Sequence, residues 1–265
     1  MTNLPASKHI QPQEAEKHHI SVSQINEYLD CSAYYMFHRI FKIQTPSKSF
    51  LTIGKSVHKG IEVNYRQKME TKTDLLLPKI QEVTVEEFEI LSPVTEWDKD
   101  EDPGKVKDEV VALATLYHTE VAPHVQPKMV EERMTVEDER LTLPVFFVLD
   151  LVDQDDMIRD TKTYGRTPSQ DDIDYDLQLS AYSLAFRSTT GRIEKGVKWD
   201  CLVKTKVPKY APLESTRNEI DGRRFINIAN SAVMAIQNGA FIPNQKSYKC
   251  GKDRCPFWVA CHRDF

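Results

Sequence analysis

One run of the chain, residues 141–153 (LTLPVFFVLDLVD), constrains the fold more than any other. It is apolar, β-branched and aromatic over a length that suits a buried strand, with Asp150 set inside it. Gln154-Asp155-Asp156 then supplies a polar turn, and residues 157–163 (MIRDTKT) resume as a second strand, so the pair is expected to form a hairpin. Residues two apart on a strand share a face, which directs Asp160 and Lys162 to one side and Thr161 to the other. Asp150 can then face both across the pair. Converging carboxylate oxygens suit a hard cation such as Mg2+ or Mn2+ better than zinc, and a lysine beside them can hold or deprotonate a water. That chemistry fits metal-assisted hydrolysis of a phosphodiester. Taken without their context, the same three residues fit slightly better as hairpin-end acids and a solvated edge lysine.

A net charge of −5 argues against the basic surface of a non-specific nucleic-acid coat protein. An enzyme acting on DNA needs only a local basic path, to which Lys42, Lys48, Lys55, Lys59, Lys204, Lys206 and Lys209 can contribute. The longest apolar run, residues 143–152, is about half the ~20 residues that a membrane-spanning helix requires, and Asp150 interrupts it. Residues 1–18 are polar, contain Pro5 and Pro12, and lack both periodicity and the apolar core of a signal peptide. They are expected to form a mobile tail ahead of a single domain over residues 19–265, in a soluble, cytoplasmic protein.

Residues 21–43 read as two short helices broken near Cys31, with Ser23 as the N-cap. A helix is expected from Gly54 to residue 69 on the stripe Val57, Ile61, Tyr65, with His58 and Glu62 beside it. Residues 83–91 and 106–121 are further helical candidates, separated by the loop at 98–104. From residue 129 the period becomes strand-like, giving strands over 129–136, 141–153 and 157–163. A helix over 175–187, a strand over 197–206 and a helix over 216–238 ending at Gly239 complete an α/β or α+β pattern.

Cys250, Cys255 and Cys261 crowd the C-terminal stretch. Thiolate ligation explains that density better than disulfides do, and Cys31 is the natural fourth ligand. Four thiolates fit either structural zinc or an iron–sulfur cluster, and the spacing does not decide between them. Cys201 sits in an apolar strand and reads as a buried core thiol.

In chain order the sequence carries a Ser-Val-Ser opening with Cys31, Gly54-Lys-Ser-Val-His58, Asp150, Asp160-Thr-Lys162, Gln178-Leu-Ser-Ala-Tyr182 and the C-terminal cysteines. This ordered set resembles the RecB-like branch of the PD-(D/E)XK nuclease superfamily, the iron–sulfur exonucleases found in phages, in CRISPR adaptation and at the end of AddB. The resemblance implies an α/β fold with a mixed central β-sheet flanked by helices, a restriction-endonuclease-like core, with an N-terminal helical part and a C-terminal cysteine cluster. By the same match, His58, Asp150 and Asp160 are metal ligands, completed by the Thr161 carbonyl, and Lys162 orients or activates the water. Gln178 and Tyr182 lie a helical turn apart, suited to bracing the site and contacting the DNA backbone. Glu131 is similar to an upstream glutamate of relatives, with Glu132 beside it competing for that place. Phe147 departs from the small residue usual three positions before the first aspartate.

The implied activity is a Mg2+- or Mn2+-dependent DNA exonuclease leaving a 5'-phosphate, with a structural [4Fe-4S] cluster tying the tail to Cys31. The alternatives are a non-catalytic DNA-binding recombination scaffold that keeps the fold, and a zinc-stabilised module. The chain carries no helicase motif, so unwinding would come from a partner: a helicase, an annealing protein or a CRISPR adaptation complex.

Overall fold

The structure is a computed structural model and describes residues 19–265; the tail expected over residues 1–18 lies outside the described residues. Strand β1 (Ile20–Ser21) runs into α1 (Val22–Asp30) and α2 (Ser32–Tyr35), followed by a π-helical turn over Met36–Ile40. Next come β2 (Ser47–Lys48), the long α3 (Ser49–Thr71), α4 (Leu77–Leu91), β3 (Thr95–Glu96) and α5 (Pro103–Glu120). Then follow β4 (Pro127–Val136), β5 (Val145–Asp153), β6 (Met157–Tyr164), α6 (Gln170–Asp174) and α7 (Leu177–Thr190). The chain ends through β7 (Gly196–Val203), β8 (Lys209–Tyr210), β9 (Leu213–Ser215), α8 (Glu219–Gln237) and α9 (Trp258–Asp264). These elements gather into two compact units, one of Pro46–Met134 and Val148–Gly222, the other of the described residues up to Thr45 with Thr135–Phe147 and Arg223–Phe265.

The first of these units is built on a mixed sheet. β5 and β6 form the expected antiparallel hairpin, with Leu151 opposite Arg159 and Val152 opposite Ile158. Its turn is fastened by Asp153, whose Oδ1 accepts from the backbone of Asp155 and Met157. β7 lies parallel to β6 over eight paired residues, from Met157 opposite Gly196 to Tyr164 opposite Val203. β4 pairs with β5, while β8 and β9 fold back antiparallel on β7. One sheet face meets α3, α4 and α5 through a core that joins Val57, Tyr65, Phe88, Leu113, Leu151 and Leu202. Gly60 lets α3 and α4 close together, because a Cβ there would stand 2.3 Å from Thr84 Oγ1. The opposite face carries Asp150 and Asp160, and α7 covers it.

In the other unit β1 pairs in parallel with the start of β5, Ile20 opposite Val145. Phe37, Phe257 and Ala260 form a small core, against which Tyr34, Phe41, Cys255 and Cys261 pack.

Several boundaries differ from the sequence reading. The N-cap of α1 is Ser21, not Ser23: Ser21 is extended, accepts from Gln24 N, and receives the Gln24 side chain on its own backbone N–H in a capping box. α3 begins at Ser49 rather than Gly54, because β2 pairs with β3 and delivers the chain straight into the helix, where Ser49 Oγ donates to Glu101 at 2.6 Å. The helix expected over 175–187 runs instead from Leu177 to Thr190, with Asp176 as its cap accepting from Leu179 N. The strand expected through residue 206 stops at Val203, where the chain turns back into β8. Helix α9, within the cysteine-rich stretch, was not expected. The break near Cys31 is present: its backbone is extended (φ −158°, ψ 103°) between α1 and α2.

Candidate active site

The β5–β6 register, continued one residue past Leu151–Arg159, sets Asp150 across from Asp160. Asp160 is almost fully buried, at 1% exposure. Lys162, two residues on and on the same face, places Nζ 2.6 Å from Asp160 Oδ2. It also donates to Gln178 Oε1 at 3.0 Å. Gln178 Nε2 then donates to Tyr182 Oη at 2.6 Å, and that hydroxyl donates to the Val148 carbonyl at 2.7 Å. The two partners of Gln178 fix which end of its amide is oxygen. Tyr182 also stands 3.4 Å from Asp150 Oδ1. It has no exposed surface, so it braces the strands from behind instead of reaching a bound backbone.

His58 enters from α3. Its Nδ1 lies 3.5 Å from Asp150 Oδ2, and its Nε2 donates to the Thr161 carbonyl at 2.6 Å. A carbonyl only accepts, so this bond puts the proton on Nε2 and turns the Nδ1 lone pair toward the acids. Glu131 comes from β4 with a left-handed backbone, φ 49°. For a non-glycine residue within a strand this costs about 1–3 kcal/mol and persists only where the surroundings enforce it. Its effect is to aim the Glu131 side chain inward while Glu132 is exposed. His58, Glu131 and Asp150 each offer a ligand atom within 4.8 Å of the others, the sole such trio of His, Cys, Asp and Glu among the described residues.

Electrostatics and hydrogen bonding agree with that donor set. Neither Asp150 Oδ2 nor Asp160 Oδ2, both buried, accepts a well-directed hydrogen bond. Burial raises the pKa of Asp150. Burial also pushes Asp160 up to about 7, with Lys162 opposing and Asp150 adding to the shift. Glu131 is pushed up to about 7 by burial and by neighbouring Glu62. Burial would pull Lys162 down, but the Asp160 and Asp150 charges together outweigh it and hold it above the usual lysine range. Burial lowers His58, which favours the neutral ring that a ligand needs. Buried acids that repel one another, with a neutral imidazole beside them, suit a hard divalent cation.

His58, Glu131 and Asp150 line a cavity of about 460 Å³ whose wall is one face of α3. Glu62, one turn beyond His58, lines it and pairs with Lys59 at 3.0 Å and Arg66 at 2.8 Å. The His58–Glu62 spacing of one helical turn was the available signal for including Glu62. Phe50 and Leu51 also line the cavity from the first turn of α3, which precedes the helix start near Gly54 that the local pattern suggests.

The cysteine centre is separate in construction. Cys31, Cys250, Cys255 and Cys261 all border a cavity of about 280 Å³, together with Tyr34 and Phe257. Burial raises the Cys261 thiol, and Cys31, Cys255 and Cys250 add to the shift. The Asn244 backbone N–H points at Cys31 Sγ at 3.4 Å, and Asn244 Nδ2 donates to the Asp30 carbonyl. Cys201 is fully buried in β7, as its apolar context suggested.

A mixed sheet flanked by helices, with acids and a lysine on adjacent strands, defines the restriction-endonuclease-like class of fold. The family model for the PD-(D/E)XK nuclease superfamily matches residues 19–262, and the chain belongs to that superfamily. Among solved structures, one from Eubacterium rectale described as "Putative exonuclease" aligns with TM-score 0.61 and 14% identity, covering 100% of this chain and 94% of its own. Another, SSO0001, aligns with TM-score 0.39 and 13% identity over 92% and 94% of the two chains. No curated protein matches the chain. Among the described residues no helix is long and apolar enough to cross a membrane.

Proposed function

We propose that this nuclease is a Mg2+- or Mn2+-dependent DNA exonuclease of the iron–sulfur branch, acting in recombination, repair or CRISPR adaptation. The observation that carries the reading is the meeting of His58, Glu131 and Asp150 within 4.8 Å, beside an Asp160–Lys162 pair at 2.6 Å. His58 Nδ1 and the carboxylates of Glu131, Asp150 and Asp160 would hold the cation. Bound there, it would polarise the phosphoryl oxygen and acidify the attacking water. Lys162, steadied by Gln178, positions that water against the scissile phosphate. Thr161 contributes through its carbonyl, which keeps His58 in the tautomer with Nδ1 free of its proton.

The cysteine centre supports the branch assignment. Cys31, Cys250, Cys255 and Cys261 line one cavity of about 280 Å³, and their order along the chain follows that of the iron–sulfur branch. A [4Fe-4S] cluster there would fasten the C-terminal stretch to Cys31 and keep this unit folded.

The test is digestion of end-labelled single- and double-stranded DNA with Mg2+ or Mn2+, alongside a circular strand that has no end. Wild type is expected to degrade the linear substrates and spare the circle, and Lys162→Ala to lose about 100-fold or more in rate. A folded Lys162→Ala protein that degrades DNA at the wild-type rate would overturn the mechanism. Anaerobically purified protein is expected to be brown, with iron and sulfide; colourless protein carrying zinc would overturn the branch assignment.

A further inference from the structure

The wall of the catalytic cavity changes character along α3. Successive turns present Phe50 and Leu51, then Gly54 and Lys55, then His58. Phe50 and Leu51 are 57% and 44% exposed, beside the metal-binding residues. A large aromatic left in water on an ordinary helix face can be incidental, but this one sits on a turn fastened from several sides. Ser49 bonds Glu101, Thr52 Oγ1 meets Thr95 Oγ1 at 2.6 Å, and Lys48 pairs with Glu96 at 3.0 Å. The turn therefore presents Phe50 at little further cost in entropy. At Gly54 the helix surface is flat, since a Cβ would meet only Thr163 Oγ1 at 3.7 Å. Lys55 is exposed, and among the described residues it has no ion-pair partner.

We propose that Phe50 is a base-stacking residue that binds the unpaired end of the DNA strand being cut, while Lys55 holds that strand's phosphates. The proposal rests on the nuclease reading above and names its substrate form as a single-stranded segment. Eight residues of helix separate Phe50 from His58, about 12 Å at 1.5 Å per residue. At the ~3.4 Å rise per nucleotide of a stacked strand, this is a reach of a few nucleotides from the scissile phosphate. The flat stretch at Gly54 gives the sugar–phosphate chain a path between the two. An aromatic face accepts any base, so the contact grips the strand without reading sequence.

Binding of two labelled strands tests this, measured in a Lys162→Ala background so that the DNA stays intact. One is a mixed-sequence single strand; the other is an abasic strand of equal length, with the same phosphates and no bases. Phe50→Ala is expected to weaken the first about tenfold and leave the second unchanged, as the loss of one stacked base predicts. Lys55→Ala is expected to weaken both alike. Phe50→Trp is expected to restore binding, with its emission quenched by the base-bearing strand alone. The inference is overturned if Phe50→Ala binds the base-bearing strand as before, if it loses both strands equally, or if the tryptophan is not quenched. A background protein that binds neither strand overturns this inference and the nuclease reading together. Wild-type DNA degradation accompanied by an indifferent Phe50 overturns the inference alone.

Discussion

Removing one oxygen atom, in Tyr182→Phe, tests how the site is held. Tyr182 Oη accepts from Gln178 at 2.6 Å and donates to the Val148 carbonyl at 2.7 Å, and the residue is fully buried. The phenylalanine ring keeps the packing and strands two polar groups where water does not reach. Each orphaned group costs about 1–3 kcal/mol. The Val148 carbonyl lies in a strand with a second lone pair to satisfy, so the low end applies and the sum is about 2 kcal/mol. For a chain of this size that lowers Tm by about 4–8 °C in a calorimetric or CD melt. Activity should fall through kcat, by about tenfold, because Gln178 loses the anchor that steadies its bond to Lys162 while Lys162 keeps its 2.6 Å pair with Asp160. KM should hold, since Tyr182 exposes no surface to DNA. A Tyr182→Phe/Gln178→Leu double variant should lose little more than either single one, as members of one network do. An unchanged melt, or a tenfold rise in KM at constant kcat, refutes the bracing role.

Cys31→Ser should abolish the visible absorption and iron content of anaerobically prepared protein and lower its Tm. The proposed clasp would span over two hundred residues, and closing so long a loop is worth about 5 kcal/mol by chain entropy. Cys201→Ser should leave the colour intact, because that thiol is buried in β7. Gly60→Val should destabilise the fold by about 1–3 kcal/mol in a urea melt, since even a Cβ would stand 2.3 Å from Thr84 Oγ1 and the branch presses further into α4. An unchanged urea midpoint would show that α3 and α4 can separate freely.

The hairpin that carries the acids was legible because its information is local. An apolar alternation, a polar turn at 154–156 and a resumed strand set Asp150 against Asp160 without reference to the rest of the chain. The break at Cys31 and the buried state of Cys201 could be read for the same reason. Where the chain depends on distant partners, the local pattern misled. The stripe Val57, Ile61, Tyr65 points to a helix start near Gly54, whereas α3 begins at Ser49 because β2 finds β3 some fifty residues away. Ser23 reads as the cap from the local pattern, but the pairing of Ser21 with Phe146 holds Ser21 extended and makes it the cap.

Glu131 shows the limit most clearly. Two adjacent glutamates on a strand should point to opposite faces, and alternation alone gives no reason to prefer either. The choice is made by a left-handed backbone at Glu131, a conformation that strand propensity disfavours and the sequence does not advertise. It leaves Glu132 in solvent and brings Glu131 within 4.8 Å of His58 and Asp150, so that it buries a charge among charges and its pKa rises to about 7. Each step opposes stability: strained backbone, desolvated acid, like charges gathered together. Their joint presence at the mouth of the α3 cavity is what a cation, bound between Glu131, Asp150 and His58, would repay. The violation of local preference at Glu131 therefore supports its role at the site more strongly than its identity as a glutamate does.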